Sequence, residues 1–314
     1  MTGMKFTLTA PGPEPPCDAP LHQSPTYGRA ISRLGAKVQV VRVDDAGTCL
    51  AQAQILSRRV MGLPLHWIPR GPVWAADLPP DQRAALLANL PHATGLRGLW
   101  LATPDSTEAT APYARLGFRA MLTPQYVAEL PLDTNPKVMR ARQHGKWRNR
   151  LCRAEDAGLT VTHRPFDPAR DAPLLDLEMT QRKYRRYTDV MPTLVSHWSK
   201  AAPTATRLFQ IRGRNQTRAF MIFLLHGQRA TYQIGWRDPD HALPSAHHLL
   251  LWHAAKYLAS QGVRQVDLGT LDTQTTPGLA RFKLGSGARA RQLGPSLLRL
   301  PCARIPLAIR RAAV

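Results

Sequence analysis

Hydrophobic and polar positions alternate in short runs along much of the chain, and stripes of apolar residues at helical spacing separate those runs. Residues 37–43 (KVQVVRV) alternate and predict a strand. Residues 48–60 and 63–69 predict two more, joined by a turn at Gly62–Pro64. Residues 80–90 predict a helix, with proline at its start and Leu86, Leu87 and Leu90 apolar. A buried strand at 97–102, a short helix ending in Tyr113-Ala-Arg-Leu-Gly-Phe118 and a strand at 124–132 close a first α/β unit.

The second half repeats that order. A long helix is predicted from 134 to 158, with Pro136 in its first turn and Gly158 as its cap. Met139, Trp147, Leu151 and Ala154 lie on one stripe of it; Arg142, Lys146 and Arg150 lie on another. A strand at 159–165 and a helix at about 171–187 lead to a meander at 206–212, 217–226 and 229–236. Helix 245–260, strand 263–269, a short helix near 277–284 and a strand near 289–299 complete a second unit. The expected division is a Pro-rich, mobile lead-in at 1–20, a first domain at 21–133, a second at 134–300 and a basic tail at 301–314.

Charge changes this picture more than composition does. The 314 residues carry 42 Lys+Arg against 21 Asp+Glu, a formal +21, and only eight of the cations are Lys. Coding bias can exchange Lys for Arg, but it does not remove acids. The excess therefore points to a polyanionic partner, nucleic acid or an anionic membrane surface. Seven cations and no acid lie between Lys137 and Arg153, and residues 273–314 hold eight more without an acid. Arg182, Arg185 and Arg186 cluster at a helix C-terminus, where the dipole accounts for part of the charge. The tail from Leu297 mixes Leu, Ile and Arg and could touch anionic lipid or form a packed helix. Cysteines at 17, 49, 152 and 302 form no C-x-x-C pair, so neither a zinc site nor a disulfide framework is expected, and a cytoplasmic setting is. No apolar run is long enough to span a bilayer, and no metal or redox cofactor is implied.

Several strings resemble one family. Gln23-Ser-Pro-Thr-Tyr-Gly28 and Trp67-Ile-Pro-Arg-Gly-Pro-Val73 resemble segments of the FemA/FemB/FemX-type transferases, which build peptidoglycan cross-bridges from aminoacyl-tRNA. Tyr113–Phe118 resembles the closing signature of GCN5-related N-acetyltransferase (GNAT) domains. Lys146-Trp-Arg-Asn-Arg-Leu-Cys-Arg-Ala-Glu155 resembles the family's basic helix; Leu249–Trp252, Asp267-Leu-Gly269 and Pro277-Gly-Leu-Ala-Arg-Phe-Lys283 resemble its ending. The resemblance implies two tandem GNAT-like domains, each a mixed, mainly antiparallel sheet flanked by helices. It further implies an aminoacyl or acyl donor and an amine acceptor, which could be lipid-linked. The long coiled-coil arm of some members has no counterpart here. Nor does an R/Q-x-x-G-x-G/A loop of the kind CoA-dependent relatives use.

Amide formation from an activated ester needs a neutral amine near the carbonyl and a stabilised oxyanion. Lys283 matches the family's Phe-Lys pair and could stabilise that charge or hold a donor phosphate; a solvated surface Lys is the plain alternative. Phe282 could stack on a terminal adenine or sit in the core. Arg70, with Gly71 and Trp67 beside it at a strand break, suits an anionic substrate group or a structural turn. His247, in the first turn of a helix next to His248, is a candidate base. Asp267 and Asp272 lie at a strand end that could face the ligand, with helix capping as the second reading of Asp272. Tyr232 and Trp236 share a strand face and could line an acceptor channel or the core. Arg142, Lys146 and Arg150, with Arg182, Arg185 and Arg186, are the candidate tRNA contacts. Two alternatives stay open: an acyl-CoA-dependent N-acyltransferase, and a non-catalytic RNA- or membrane-binding protein on the same scaffold.

Overall fold

The computed structural model describes residues 4–12, 14–15, 18–74, 78–185, 192–213, 216–240, 243 and 245–301, without the side chains of 183–185. The chain divides into two compact units, residues 1–125 with 292–314, and residues 126–291.

The first unit begins with β1 (Lys5–Thr9), α1 (Pro25–Arg33), β2 (Lys37–Asp45), β3 (Thr48–Val60), β4 (Leu63–Pro69) and β5 (Val73–Trp74). It continues with α2 (Pro80–Thr94), β6 (Leu99–Thr103), α3 (Ala111–Ala114) and β7 (Arg119–Leu122). The expected lead-in therefore holds a strand: β1 pairs antiparallel with β2 from Lys5↔Asp44 to Thr9↔Val40. Its five residues precede the Pro-rich stretch, so composition over 1–20 hides it.

The second unit runs through β8 (Tyr126–Pro131), α4 (Pro136–Arg142), α5 (Gly145–Asp156), β9 (Val161–Pro165), α6 (Ala172–Arg185) and α7 (Pro192–Ala201). Next come β10 (Thr206–Arg212), β11 (Thr217–His226), β12 (Arg229–Arg237), α8 (Ala246–Ser260), β13 (Gln265–Leu271), α9 (Pro277–Gly285) and β14 (Arg289–Gln292). The last strand, β15 (Ser296–Arg299), returns to the first unit.

The first sheet takes in a strand from outside its own sequence block, β15, whereas the second is built from the consecutive strands β8 to β14. The first has the order β1-β2-β3-β4-β6-β15-β7, with β5 on β3; the second is β14-β8-β13-β12-β11-β10-β9. The strand expected to close the first unit, 124–132, thus lies in the second sheet as β8. The strand expected at 289–299 is two, and its latter half joins the first sheet as β15. Alternation marks a strand but not the sheet whose edge it fills.

The predicted helix 134–158 is broken. Gln143 and His144 are extended, ending α4 and starting α5. The break admits the C-terminus of α9: His144 N donates to Gly285 O at 3.0 Å, and Trp147 Nε1 donates to Phe282 O at 3.0 Å. Arg142 consequently ends α4 while Lys146 and Arg150 lie on α5, so the three form no single helical stripe. One core cluster of the second unit gathers Trp147, Leu151, Phe209, Met221, Phe223, Leu250, Leu258 and Val266 between α5, α8 and the sheet. In the first unit, Ile55, Ile68, Trp100, Tyr113 and Leu116 anchor the core. A helix the apolar pattern left unassigned, α7, buries Leu194, Val195 and Trp198.

Gly285 meets Trp147 so closely that an added Cβ would lie 2.8 Å from the ring. Gly285→Ala is expected to lower the unfolding free energy by about 1–3 kcal/mol through overpacking. Chemical denaturation, with Gly278→Ala as the control in open space, measures it.

Candidate active site

Among the described residues each unit contains a pair of parallel strands, and the two pairs behave differently. In the first unit β4 and β6 remain in register over five residues, from Leu65↔Leu99 to Pro69↔Thr103. Thr103 Oγ1 then accepts from Trp67 Nε1 at 3.3 Å and from Arg70 N at 3.2 Å, which locks the strand ends together. Arg70 has φ +49°, is 8% exposed, and donates through Nε to Asp105 Oδ1 at 2.6 Å. Gln23 donates to Pro69 O at 2.6 Å while its Oε1 accepts from Gln54 N at 2.8 Å. Tyr113, fully buried, donates its hydroxyl to Gly71 O at 3.0 Å, and burial pushes its pKa far up. An added Cβ on Gly71 would lie 2.6 Å from the Gln23 side chain. The three strings of the first half therefore tie one another into a rigid loop around residues 69–72. Arg70 is a clamped ion-pair partner there rather than an exposed cation.

In the second unit β12 and β13 pair over only three residues, Arg229↔Gln265 to Thr231↔Asp267, and then part. Both strands bulge at that point. On β12 the register slips between Ile222↔Ile234 and Phe223↔Tyr232, leaving Gln233 extra. On β13 it slips against β8 between Asp267↔Glu129 and Thr270↔Val127, with Gly269 at φ +82°. Bulges increase local twist and divert a strand from its neighbour. Asp267 holds the second one, its Oδ1 accepting from Gly269 N at 2.7 Å.

The backbone at this parting is held by side chains from three helices. Lys283, on α9, is only 5% exposed and donates through Nζ to Thr270 O at 2.7 Å. A solvated surface Lys is thereby excluded; a buried amine must be hydrogen-bonded, and this one is anchored at the bulge through Thr270 O. From α6, Gln181 Nε2 reaches Gly235 O at 3.2 Å. His247, on α8, lies with Nε2 3.2 Å from Trp236 O. Sequence periodicity gives no sign of the Gln181 contact, because it depends on which face α6 turns to the sheet.

An aromatic group packs behind Lys283. His248 lies 4.8 Å from the Trp147 ring and 5.1 Å, edge-on, from Phe282, while His247 lies 6.5 Å from Phe282. Burial, then Arg150 and His247, lowers the His248 pKa to about 4, so this imidazole is neutral near pH 7. Phe282 packs against the core as its plain alternative has it.

Asp272 accepts from Gln274 N at 2.9 Å and Thr275 N at 2.7 Å, and from the Thr275 hydroxyl. The Thr275 hydrogen bonds foremost keep its carboxyl below the usual range, so it is committed to the loop before α9 and is a poor base. Tyr232 and Trp236 do not share a face, because the bulge at Gln233 intervenes. Tyr232 pairs with Phe223 and packs toward the core beneath α8; Trp236 stacks on Phe220 at 5.9 Å. Arg182 is in a largely buried pair with Glu178 at 3.0 Å and is no open phosphate contact. Arg186 and the Arg185 side chain lie outside the described residues, as does the tail beyond Pro301. Lys146 and Arg150 are exposed; Arg142 is exposed and lies 3.5 Å from Asp133. Among the described residues no cluster of His, Cys, Asp or Glu could hold a metal ion, and no helix is long and apolar enough to cross a membrane.

Residues 140–284 match the family described as Acetyltransferase (GNAT) domain. No curated protein matches the chain. Among solved structures, FemX is 14% identical with a TM-score of 0.75, over 90% of this chain and 92% of FemX. A tandem GNAT protein from the clavulanic acid biosynthesis pathway is 12% identical with a TM-score of 0.56, over 95% and 98%. L-PGS from Bacillus licheniformis is 12% identical with a TM-score of 0.54, over 94% and 91%. The fold is that of the FemX-like, tandem GNAT proteins.

Because folding depresses the His248 pKa, the unfolded chain binds the extra proton. Stability is full above about pH 6.5 and is lost as pH falls toward about 4. A His248→Phe variant is expected to show a shallower fall of denaturation midpoint over that window than the unaltered protein.

Proposed function

We propose, for a chain whose second unit carries a GNAT acyltransferase domain, that it moves an aminoacyl group from aminoacyl-tRNA to an amine and forms an amide. The observation that carries this reading is the buried Lys283 ammonium at the parting of β12 and β13. The amine nitrogen attacks the ester carbonyl carbon, a C–N bond forms, and the ester C–O bond to the ribose breaks. The proton lost by the amine leaves with the ribose hydroxyl. Negative charge develops on the carbonyl oxygen, and a protonated Lys283 supplies the opposing charge beside it. Thr270 O fixes the direction of that ammonium. Asp267 and His247 act on the backbone of the two strands and so position the cleft.

Two features favour an RNA donor over CoA. The exposed Lys146 and Arg150 stand on the helix that packs Trp147 against Phe282. The segment between β12 and α8, Asp238-Pro-Asp-His-Ala-Leu-Pro-Ser245, contains no glycine with which to wrap a pyrophosphate. Peripheral membrane contact at a cytoplasmic face would suit a lipid-linked acceptor.

The donor is tested by supplying the purified chain with aminoacyl-tRNA or acyl-CoA and a panel of peptide and lipid amines, with amide read by mass spectrometry. Amide from aminoacyl-tRNA is expected; turnover of acyl-CoA with release of free thiol would overturn the donor. Lys283→Met, which keeps the buried volume, is expected to lower kcat by about 10²–10³. Unchanged turnover in a folded Lys283→Met protein would remove Lys283 from the chemistry.

A further inference from the structure

α8 runs from the parting of β12 and β13, where His247 lies beside Trp236 O, toward the outer edge of the sheet, where β9 is the last strand. His247 and Tyr257 are ten residues apart, or about 15 Å along a helix. At that far end side chains from three elements meet. The Tyr257 ring lies 4.3 Å from the exposed His163 of β9. Arg207 of β10 places its guanidinium carbon 5.2 Å over the same Tyr257 ring. Lys256 lies 5.5 Å over the Trp252 ring, which Arg140 covers at the same distance.

Arg140 is neutralised by Glu155 at 2.5 Å, but among the described residues neither Lys256 nor Arg207 has a carboxylate within ion-pair distance. A merely solvated face would let these long side chains extend into water. Here both are parked on aromatic rings, which fixes their charges in place before any ligand arrives. The local field is positive enough to be felt by the histidines. His163, exposed overall but partly desolvated beside the Tyr257 ring, is held below its ordinary range first by that desolvation and then by Arg207. His253 is held down by burial, then by Lys256 and His163, against the opposing pull of Glu155.

We infer that Lys256, Arg207, His163 and Tyr257 form a second contact for the RNA donor, gripping the phosphate backbone of its stem at the end of α8 away from Lys283. The inference rests on the aminoacyl-tRNA reading above. Positioned cations interleaved with aromatic and imidazole rings suit a sugar–phosphate backbone. An anionic bilayer would call for exposed aliphatic side chains instead. The exposed large hydrophobics, Met61, Leu63, Met121 and Leu122 among them, lie outside this group.

The test uses the full chain and an uncharged RNA hairpin with a tRNA-like acceptor stem, with binding followed by fluorescence anisotropy across a salt series. Lys256→Gln/Arg207→Gln is expected to bind about tenfold more weakly at low salt. Its slope of log K against log salt should be shallower by about two, one for each phosphate that Lys256 and Arg207 neutralise. Lys256→Glu, which reverses one charge, should weaken binding more than Lys256→Gln alone. A double variant that binds the hairpin like the unaltered protein, with the same slope, would overturn the patch while leaving the donor reading intact. An unaltered protein that ignores the hairpin but binds vesicles containing phosphatidylglycerol would overturn both.

Discussion

Two parallel strands that stop pairing expose backbone donors and acceptors along both inner edges, and a buried edge must find other partners. That constraint organises the second unit. After Thr231↔Asp267 the edges of β12 and β13 are no longer tied to each other. Gln181 and His247 reach the β12 carbonyls, Asp267 ties back Gly269, and Lys283 holds Thr270 O. The helices that flank the sheet are thereby locked to a crevice rather than to a continuous ladder. The break between α4 and α5 serves the same end, because it seats the C-terminal turn of α9 against Trp147 and so fixes where Lys283 can point.

The first unit also places two parallel strands side by side, but it closes the corresponding place. β4 and β6 pair to their ends, Thr103 bridges them, and Gln23, Gln54, Tyr113 and Asp105 immobilise the loop that follows. In open α/β sheets a parting of neighbouring strands is where ligands commonly bind, whereas a pair locked to its ends offers no such opening. The GNAT domain match, residues 140–284, falls on the second unit, where the parallel pair is open.

Much of this was legible in the residues. Alternation through 206–236 predicts the meander, and the strands fall where it places them, since each run is short and bounded by turn residues. The Phe282-Lys283 string is legible as a candidate because it is a local motif, and Lys283 is buried against Thr270 O as a structured rather than a surface residue. What is non-local could not be read. The helix break at 143–144 depends on α9, which packs there from more than a hundred residues away. The opposite facing of Tyr232 and Trp236 depends on one extra residue, Gln233, which period-two counting steps over. Arg182 reads as an open cation until its helix turns it toward Glu178 within the fold. Arg70 sits in a string that promises ligand binding, yet its partner Asp105 is thirty-five residues on. The +21 charge points to a polyanion without an address; in the folded chain Lys146 and Arg150 are exposed, Lys256 and Arg207 lie over aromatic rings, and Arg182 is paired with Glu178.

The most direct measurement of the central claim is a crystal structure of the chain with a non-hydrolysable aminoacyl-adenosine amide. The account predicts density for the acyl carbonyl between β12 and β13, with its oxygen within hydrogen-bond distance of Lys283 Nζ. An analogue seated at the 67–72 loop of the first unit, or one that leaves Lys283 untouched, would contradict it.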